Sequence, residues 1–243
     1  MDVFLSKGKS MRQPVRRLHN IIGLVVGFQL LLWAISGLFF TVYPIDKVRG
    51  TTLRTPINHG ALALGQVAVS ASEAADILDS HTPVKTVELD MFFGEPVWRI
   101  EAGDQFHLVS ARTGELRSPI MAETAARIAN EGMADRVGAA GAPWLMEADA
   151  PREYSGPLPA YVVDFEHGGT RAYIDASTGQ LVTVRTRVWR IFDMMWRVHI
   201  MDVTGDDRID SWWMKLFSFF GLTMAITGAI LLIRRIRQGK LFS

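Results

Sequence analysis

The sequence predicts a membrane protein of mixed class, in which two transmembrane helices carry one α+β domain. Three observations lead to this fold class. Two long uncharged apolar runs lie near the ends of the chain, lysine and arginine are concentrated just outside both runs, and alternating strand patterns with turn residues fill the region between them. The hydrophobic content of 49% is high for a soluble protein, and the excess lies in the two runs.

The first apolar run covers residues 21–43 and contains no formal charge. It meets the length of roughly 20 residues that a helix needs to cross a bilayer. A signal peptide is the alternative, because arginines precede the run, but its apolar region would extend over only about 7–15 residues before a cleavage site. Phe39 and Phe40 prolong the run well beyond that length. Residues 21–43 are therefore assigned to transmembrane helix 1.

The second apolar run, residues 216–233, is also uncharged. Trp212 and Trp213 precede it, and amphipathic indole rings favour the membrane–water boundary. Lys215 can extend its ammonium group toward the same boundary. A buried core helix is the alternative, but the arginines that flank both runs favour a membrane span. Residues 211–235 are therefore assigned to transmembrane helix 2.

The distribution of lysine and arginine predicts the orientation in the membrane. The positive-inside rule places the segments richest in these residues in the cytoplasm. Both termini are therefore expected to be cytoplasmic, and residues 44–211 are expected on the outer side. The basic residues that precede the first run or follow the second are Lys7, Lys9, Arg12, Arg16, Arg17, Arg234, Arg235, Arg237 and Lys240.

The region between the runs contains a weak internal repeat. Residues 96–116 and 159–181 each show an alternating strand, a glycine-containing turn, a second strand and the pattern Ala-x-Thr-Gly-x-Leu. Gly103 and the pair Gly168-Gly169 mark the hairpin turns. This pattern predicts two similar halves built from antiparallel strands.

A helix candidate precedes each hairpin. Ser70 or Ser72 can cap the first helix, and the second, residues 121–130, has Glu123 in its first turn. Residues 131–156 form the longest predicted loop. The predicted division of the chain is a cytoplasmic tail (1–20), transmembrane helix 1 (21–43), an outer domain (44–187) with two helix/antiparallel-strand repeats (about 63–120 and 121–187), a juxtamembrane amphipathic helix and loop (188–210), transmembrane helix 2 (211–235) and a cytoplasmic tail (236–243).

Short motifs throughout the chain resemble the PepSY-associated transmembrane helix family. The helix–hairpin unit that ends in a Thr-Gly turn resembles a PepSY domain. The other segments that carry the resemblance are Arg17-Leu18-His19 and residues 32–37 (LWAISG) in the first helix, residues 222–228 (LTMAITG) in the second, and residues 197–202 (RVHIMD) before it. Larger members of the family have four membrane helices, whereas this chain has two.

The resemblance implies a bacterial inner-membrane protein whose main domain is periplasmic. Some members of the family are haem proteins that reduce ferric iron or ferric siderophores. The resemblance therefore implies a b-type haem, electron transfer across the membrane and a ferric reductase that supports ferrous iron uptake. The alternative is non-enzymatic: a membrane-anchored PepSY module that binds a partner protein or restrains a peptidase. Only the first function needs haem-ligating histidines.

His19 begins a strip of small residues on one face of the first helix. Gly23 and Gly27 follow it at helical spacing. The strip continues with Ala34, Gly37 and Thr41. A flat macrocycle could lie against such a face, with His19 as an iron ligand. The alternative is ordinary helix packing, because Gly23-x-x-x-Gly27 lets two helix backbones approach closely.

His199 is the second candidate ligand. The apolar residues that recur with it at helical spacing are Trp189, Phe192, Met195 and Trp196. This spacing predicts an amphipathic helix at the outer membrane surface. On spacing alone His199 could equally be an interfacial residue, but its segment resembles the histidine segment of the family, which favours a haem ligand.

The positions of the two histidines predict a homodimer. His19 lies near the cytoplasmic end of the first span and His199 near the outer surface, separated by most of a hydrocarbon core about 30 Å thick. One haem cannot bind both, whereas in a two-fold dimer each histidine can meet its own copy in a four-helix bundle. A matching strip of small residues on the second helix consists of Ser218, Gly221, Ala225 and Gly228.

The expected cofactor is haem b, with two haems per dimer. An iron with imidazole on both axial positions is typical of electron transfer. The sequence has no nucleotide-binding motif. Electrons are therefore expected from a separate cytoplasmic or quinol donor, and the membrane lipid is the other expected contact of the spans.

Asp202, Asp206 and Asp207 follow His199 and could attract ferric iron, because hard cations prefer carboxylate oxygen. The alternative is a solvated turn around Gly205. The remaining histidines, expected at the surface, are His59, His81, His107 and His167. The chain has no cysteine, which excludes disulfides, thiolate metal sites and c-type haem, and its net charge of +1 gives no indication of a nucleic-acid partner.

Overall fold

A computed structural model describes residues 12–62, 64–78, 82–202 and 204–238. The chain divides into two compact units. The helical unit consists of Met1–Pro44 together with Ile191–Ser243, and the sheet unit consists of Ile45–Arg190. The sheet unit is thus an insertion between the two long helices, in agreement with the predicted order of helix, α+β domain and helix.

The helices and strands follow one another along the chain with short connections. The helices are α1 (Arg12–Val42), α2 (Ile45–Arg49), α3 (Ala71–Asp76), α4 (Ala122–Gly132), α5 (Arg187–His199) and α6 (Trp212–Arg237). The strands are β1 (Val84–Phe92), β2 (Glu95–Ala102), β3 (Gln105–Ser110), β4 (Trp144–Met146), β5 (Ala160–Asp164), β6 (Arg171–Asp175) and β7 (Leu181–Arg185). Short 3-10 helices occur at Thr51–Leu53, Leu64–Gln66 and Asp135–Val137.

Helices α1 and α6 are long and apolar enough to span a membrane. The candidate spans are Asn20–Val42 and Trp212–Ile230, with mean hydropathies of 2.2 and 1.4. Only 17% and 6% of their apolar windows are buried within the chain. Such exposed apolar surface is stable against lipid or a partner helix but not against water. The chain is therefore a membrane protein with two transmembrane helices.

One face of α1 is covered by other parts of the helical unit. The residues of this face recur at intervals of three and four, which is the spacing of a helix–helix seam. We call this face the α1 seam. Its residues are Val26, Gln29, Trp33, Ser36 and Phe40, of which Val26, Gln29 and Ser36 are buried. Helix α6 packs close to this side of α1, because a Cβ at Gly23 would lie 3.3 Å from Met224 Cε and one at Gly221 would lie 3.9 Å from Leu30 Cδ2.

The sheet unit contains two antiparallel sheets with strand orders β1-β2-β3 and β4-β5-β6-β7. Helix α3 begins with a capping box, in which Ser70 Oγ accepts the Glu73 N–H and the Glu73 carboxylate accepts the Ser70 N–H. Helix α4 packs Ala125, Ile128 and Ala129 into the main apolar core. Strands β1, β4 and β7 are additions to the two hairpins that the sequence predicts.

The Thr-Gly turn after β6 needs glycine for two reasons. Gly179 has a φ of +71°, a region that side chains with a Cβ rarely adopt. A Cβ at this position would also lie 2.8 Å from Phe92 Cε2. Asp175 closes the turn, because its carboxylate accepts the Thr178 hydroxyl at 2.6 Å and the Ser177 N–H at 2.9 Å. The glycine of the Thr-Gly motif in the second repeat is therefore required by the backbone conformation of the turn.

A buried carboxylate connects three segments of the sheet unit. The Glu153 side chain is 9% exposed and accepts Arg190 Nε at 2.7 Å. It also accepts the Tyr173 hydroxyl at 2.7 Å and lies 3.4 Å from Arg171 Nη1. Burial alone would raise the pKa of Glu153, but hydrogen bonds from Arg190 and Tyr173 outweigh it and lower the pKa. Glu153 is thus an ionised, fully paired group in the folded protein.

Candidate functional site around His199

His199 is the last residue of α5 and lies against α1. Its Nδ1 atom is 2.9 Å from Ser36 Oγ. The Trp33 indole N–H donates to the His199 carbonyl oxygen at 2.7 Å. The Phe40 ring meets the imidazole edge-on, with ring centroids 5.4 Å apart. Three residues of the α1 seam therefore hold both the ring and the main chain of His199.

The contacts place His199 beside the transmembrane span rather than at its end. Ser36 lies about 9 Å before Val42 along the helix axis, at a rise of 1.5 Å per residue. Aromatic side chains of α5 fill the intervening length of α1. Phe40 is 4.9 Å from the Phe192 ring and 6.2 Å from the Trp196 ring, measured between centroids. The predicted amphipathic helix is present, and its apolar aromatic residues pack on α1.

The second imidazole nitrogen of His199 is not used by the described part of the chain. Ser36 Oγ engages Nδ1, and none of the described residues forms a hydrogen bond with Nε2. The ring is partly buried and keeps some exposure. A histidine that donates one N–H to the protein and leaves the other nitrogen open has the usual arrangement of a metal-ligating imidazole. The lone pair of His199 Nε2 could therefore be donated to a metal such as a haem iron.

The other candidate ligand, His19, belongs to α1, and its side chain lies outside the described part of the structure. Its backbone position is about 25 Å from that of Ser36 along the helix axis. The two histidines of one chain therefore belong to different levels of the span. Gly23 packs close to Met224, whereas a Cβ at Gly27 would meet nothing within 4 Å. The predicted small-residue strip is thus partly covered by α6 and partly open.

The loop after His199 is organised by Asp202. Its side chain is 2% exposed and lies 3.7 Å from Arg197. The carboxylate accepts the backbone N–H groups of Gly205 at 2.7 Å and of Asp206 and Asp207 at 3.3 Å. Burial alone would raise the pKa of Asp202, but the hydrogen bonds from Gly205, Asp207 and Asp206 outweigh it and lower the pKa. The carboxylate of Asp202 therefore holds the turn around Gly205.

The predicted ferric docking residues do not converge into a metal-binding group. In the described ranges no cluster of three or more histidine or acidic side chains is close enough to hold a metal ion. Asp206 and Asp207 are exposed. A cavity of about 490 Å³ opens beside the loop, and its walls include Asp206, Arg208, Trp212 and Lys215. Docking of ferric iron at this loop stays a prediction. Of the three predicted residues, Asp206 is the one that is both exposed and part of the cavity wall.

The histidines of the sheet unit have separate surroundings. His59 lines a cavity of about 360 Å³, stacks on Phe92 at 5.7 Å and accepts the Phe93 N–H through Nδ1 at 3.3 Å. His107 is partly buried in β3, and His167 is exposed. His81 lies outside the described residues.

Sequence reasoning missed Ser36 and Trp33 as neighbours of His199. Both belong to a motif that resembles the family, and no local pattern links them to a histidine far along the chain. The signal that could have found them is a pair of polar residues, Gln29 and Ser36, that share one face of an otherwise apolar helix. Polar groups on the covered face of a membrane helix need partners. Ser36 has such partners, whereas Gln29 Nε2 has none among the described residues.

Comparison with known families gives one match. The model of the PepSY-associated TM region matches residues 16–243 of the chain. No curated protein and no solved structure matches the chain significantly. The match includes both spans, the sheet unit between them and the His199 segment. The chain therefore belongs to the family of the PepSY-associated transmembrane region.

Proposed function

We propose that the protein is a bacterial inner-membrane b-type haem protein that passes electrons across the membrane to ferric iron or a ferric siderophore in the periplasm. The observation that carries this proposal is the state of His199: Ser36 engages Nδ1 at 2.9 Å at the level of a transmembrane helix, and Nε2 has no partner among the described residues. A plain interfacial histidine would be expected to turn its polar atoms to water or headgroups. The engaged Nδ1 and the open Nε2 of His199 support a role as an iron ligand.

In this proposal each of the two histidines binds a haem near a different face of the membrane. His199 would bind haem iron beside the outer half of α1, at the level of Ser36, and His19 would bind a second haem near the inner end, with both termini in the cytoplasm. Haem b with two axial imidazoles supplies a one-electron centre when bound. Each ferric acceptor takes up one electron and becomes ferrous, so a quinol donor, which releases two electrons and two protons, would serve two acceptors.

The proposal includes a homodimer, because one histidine of each kind per chain supplies only one axial ligand for each haem. Open faces on the helices support it. A Cβ at Gly27, Gly37 or Gly228 would meet nothing within 4 Å in the single chain. Glycines on open helix faces are typical of close contacts with a second helix or a flat ligand. We therefore expect the two-fold contact to involve these faces.

A test of the dimer uses the fact that Gly27 has free space in one chain. Gly27→Leu should leave the monomer fold intact but overpack a dimer contact, at a cost of about 1–3 kcal/mol. Native mass spectrometry in mild detergent should then show monomers where the unchanged protein shows dimers. Val25→Leu is the matched control, because Val25 lies almost opposite Gly27 on the helix and is already 47% exposed. A haem-loaded monomer of the unchanged chain would contradict the dimer.

The test of the function is the absorbance spectrum of the purified full chain and its reaction with a ferric chelate. We expect a b-type haem spectrum that is reduced by a membrane quinol and reoxidised when ferric iron is added, with ferrous iron formed in a one-to-one ratio to electrons. A colourless protein that takes up no added haem would contradict the proposal. A PepSY module that binds a protein partner would then be the better interpretation.

A further inference from the structure

His199 forms one side-chain hydrogen bond with α1, and the direction of this bond decides which imidazole nitrogen is available to a ligand. Ser36 Oγ lies 2.9 Å from His199 Nδ1 and 2.7 Å from the Leu32 carbonyl oxygen. A hydroxyl group carries one hydrogen, and a carbonyl oxygen can only accept. The hydroxyl hydrogen is expected to point toward the backbone carbonyls, with the Leu32 oxygen at 2.7 Å and the Trp33 oxygen at 3.2 Å, because their lone pairs would otherwise face those of Ser36 Oγ.

Ser36 Oγ is then left as an acceptor for His199. The imidazole hydrogen must be on Nδ1, and in the neutral ring Nε2 then carries the free lone pair. Ser36 is 0% exposed, so water does not compete for its hydroxyl. The Trp33 indole fixes the main chain of the same histidine through the His199 carbonyl at 2.7 Å. Contacts with α1 therefore fix the position of the ring and favour the Nδ1–H tautomer.

We infer that Ser36 is a positioning residue for His199, whose buried hydroxyl holds the imidazole in the Nδ1–H form and leaves Nε2 as the ligand atom. The effect of Ser36 on iron binding rests on the haem function proposed above. A histidine ligand that donates its other N–H to an oxygen acceptor is oriented and becomes a stronger electron donor to the metal. Loss of such a partner typically weakens metal binding by about 10- to 100-fold.

The chain offers a matched control for this inference. The Thr223 hydroxyl donates to the Phe219 carbonyl at 2.8 Å, which is the same back-bond that Ser36 makes to Leu32. In the described part of the chain this hydroxyl has no histidine partner. Thr223→Ala therefore removes a hydroxyl from a transmembrane helix without touching His199, whereas Ser36→Ala removes the acceptor. Ser36→Thr restores a hydroxyl at the same position.

The experiment measures the tautomer of His199 directly. The full chain is prepared without haem in lipid nanodiscs with 15N-labelled histidine, and the His199 signals are identified by their loss in His199→Gln. We expect the Nδ1–H form in the unchanged chain, in Ser36→Thr and in Thr223→Ala, and a clear gain of the Nε2–H form in Ser36→Ala. Titration of the same samples with haem should show binding weakened about 10- to 100-fold in Ser36→Ala alone.

The two readouts separate this inference from the haem function. An Nε2–H form in the unchanged chain would overturn the role of Ser36, and this result does not depend on whether Ser36→Ala folds. An unchanged tautomer in a folded Ser36→Ala would overturn it as well. The expected tautomers in a chain that binds no haem would support the positioning role of Ser36 and contradict the haem function.

Discussion

His199→Ala and His19→Ala should each remove part of the haem absorbance and abolish ferric reduction. Imidazole is the expected haem ligand near either membrane face, because the chain has no cysteine and ligation by a methionine such as Met195 or Met201 would mainly shift the reduction potential. A path through two centres fails when either centre is lost. In His199→Ala the remaining haem should still be reduced from the cytoplasmic side, but it should no longer pass electrons to the acceptor. Absorbance spectra and ferrous iron formation measure the two effects separately.

His167→Ala is the matched control, because this histidine is exposed in the sheet unit. It should keep both the spectrum and the activity. His199→Met adds a sharper comparison, since a thioether ligand should retain a haem while raising its reduction potential. If both His19→Ala and His199→Ala kept the unchanged spectrum and reduced iron normally, the assignment of the histidines would be wrong. The protein-binding function would then be favoured.

The helices and turns could be predicted from the sequence because their signals are local. Uncharged length predicts α1 and α6, a capping serine at position 70 or 72 predicts the start of α3, and helical spacing predicts α5. Each of these signals lies within a few residues of the element it specifies. The membrane family likewise follows from short motifs, and the match over residues 16–243 confirms it.

The partners of His199 could not be predicted, because they depend on contacts between distant parts of the chain. The Ser36–His199 bond joins residues 163 positions apart. The predicted ligand face of the first helix runs from His19 along the small residues, whereas His199 packs on the seam that contains Trp33, Ser36 and Phe40. Strand β4 was also missed, since three residues in a predicted loop give too short a pattern to recognise.

Glu153→Gln should destabilise the sheet unit by about 2 kcal/mol at pH 7. This loss is smaller than for a fully buried ion pair, because the Arg190 side chain is 38% exposed. Glutamine can still accept the Tyr173 hydroxyl, but it leaves the guanidinium of Arg190 without its charge partner. Thermal unfolding of the full chain in detergent, followed by near-ultraviolet circular dichroism, measures the loss. Glu147→Gln is the control, because Glu147 is exposed and close by in the sequence.

The effect of Glu153→Gln should depend on pH in a direction fixed by the lowered pKa of Glu153 in the folded state. An unfolded glutamate has a pKa of about 4.3. Since the folded pKa lies below this value, the unfolded chain takes up the proton first as the pH falls. The stabilisation by Glu153 is therefore complete above about pH 5 and declines as the pH falls through the folded pKa. The unfolding temperatures of the unchanged chain and of Glu153→Gln should converge in acid and separate toward neutral pH. A difference that stayed constant from pH 7 to pH 3 would show that the loss comes from packing rather than from the ionised carboxylate and its arginine partners.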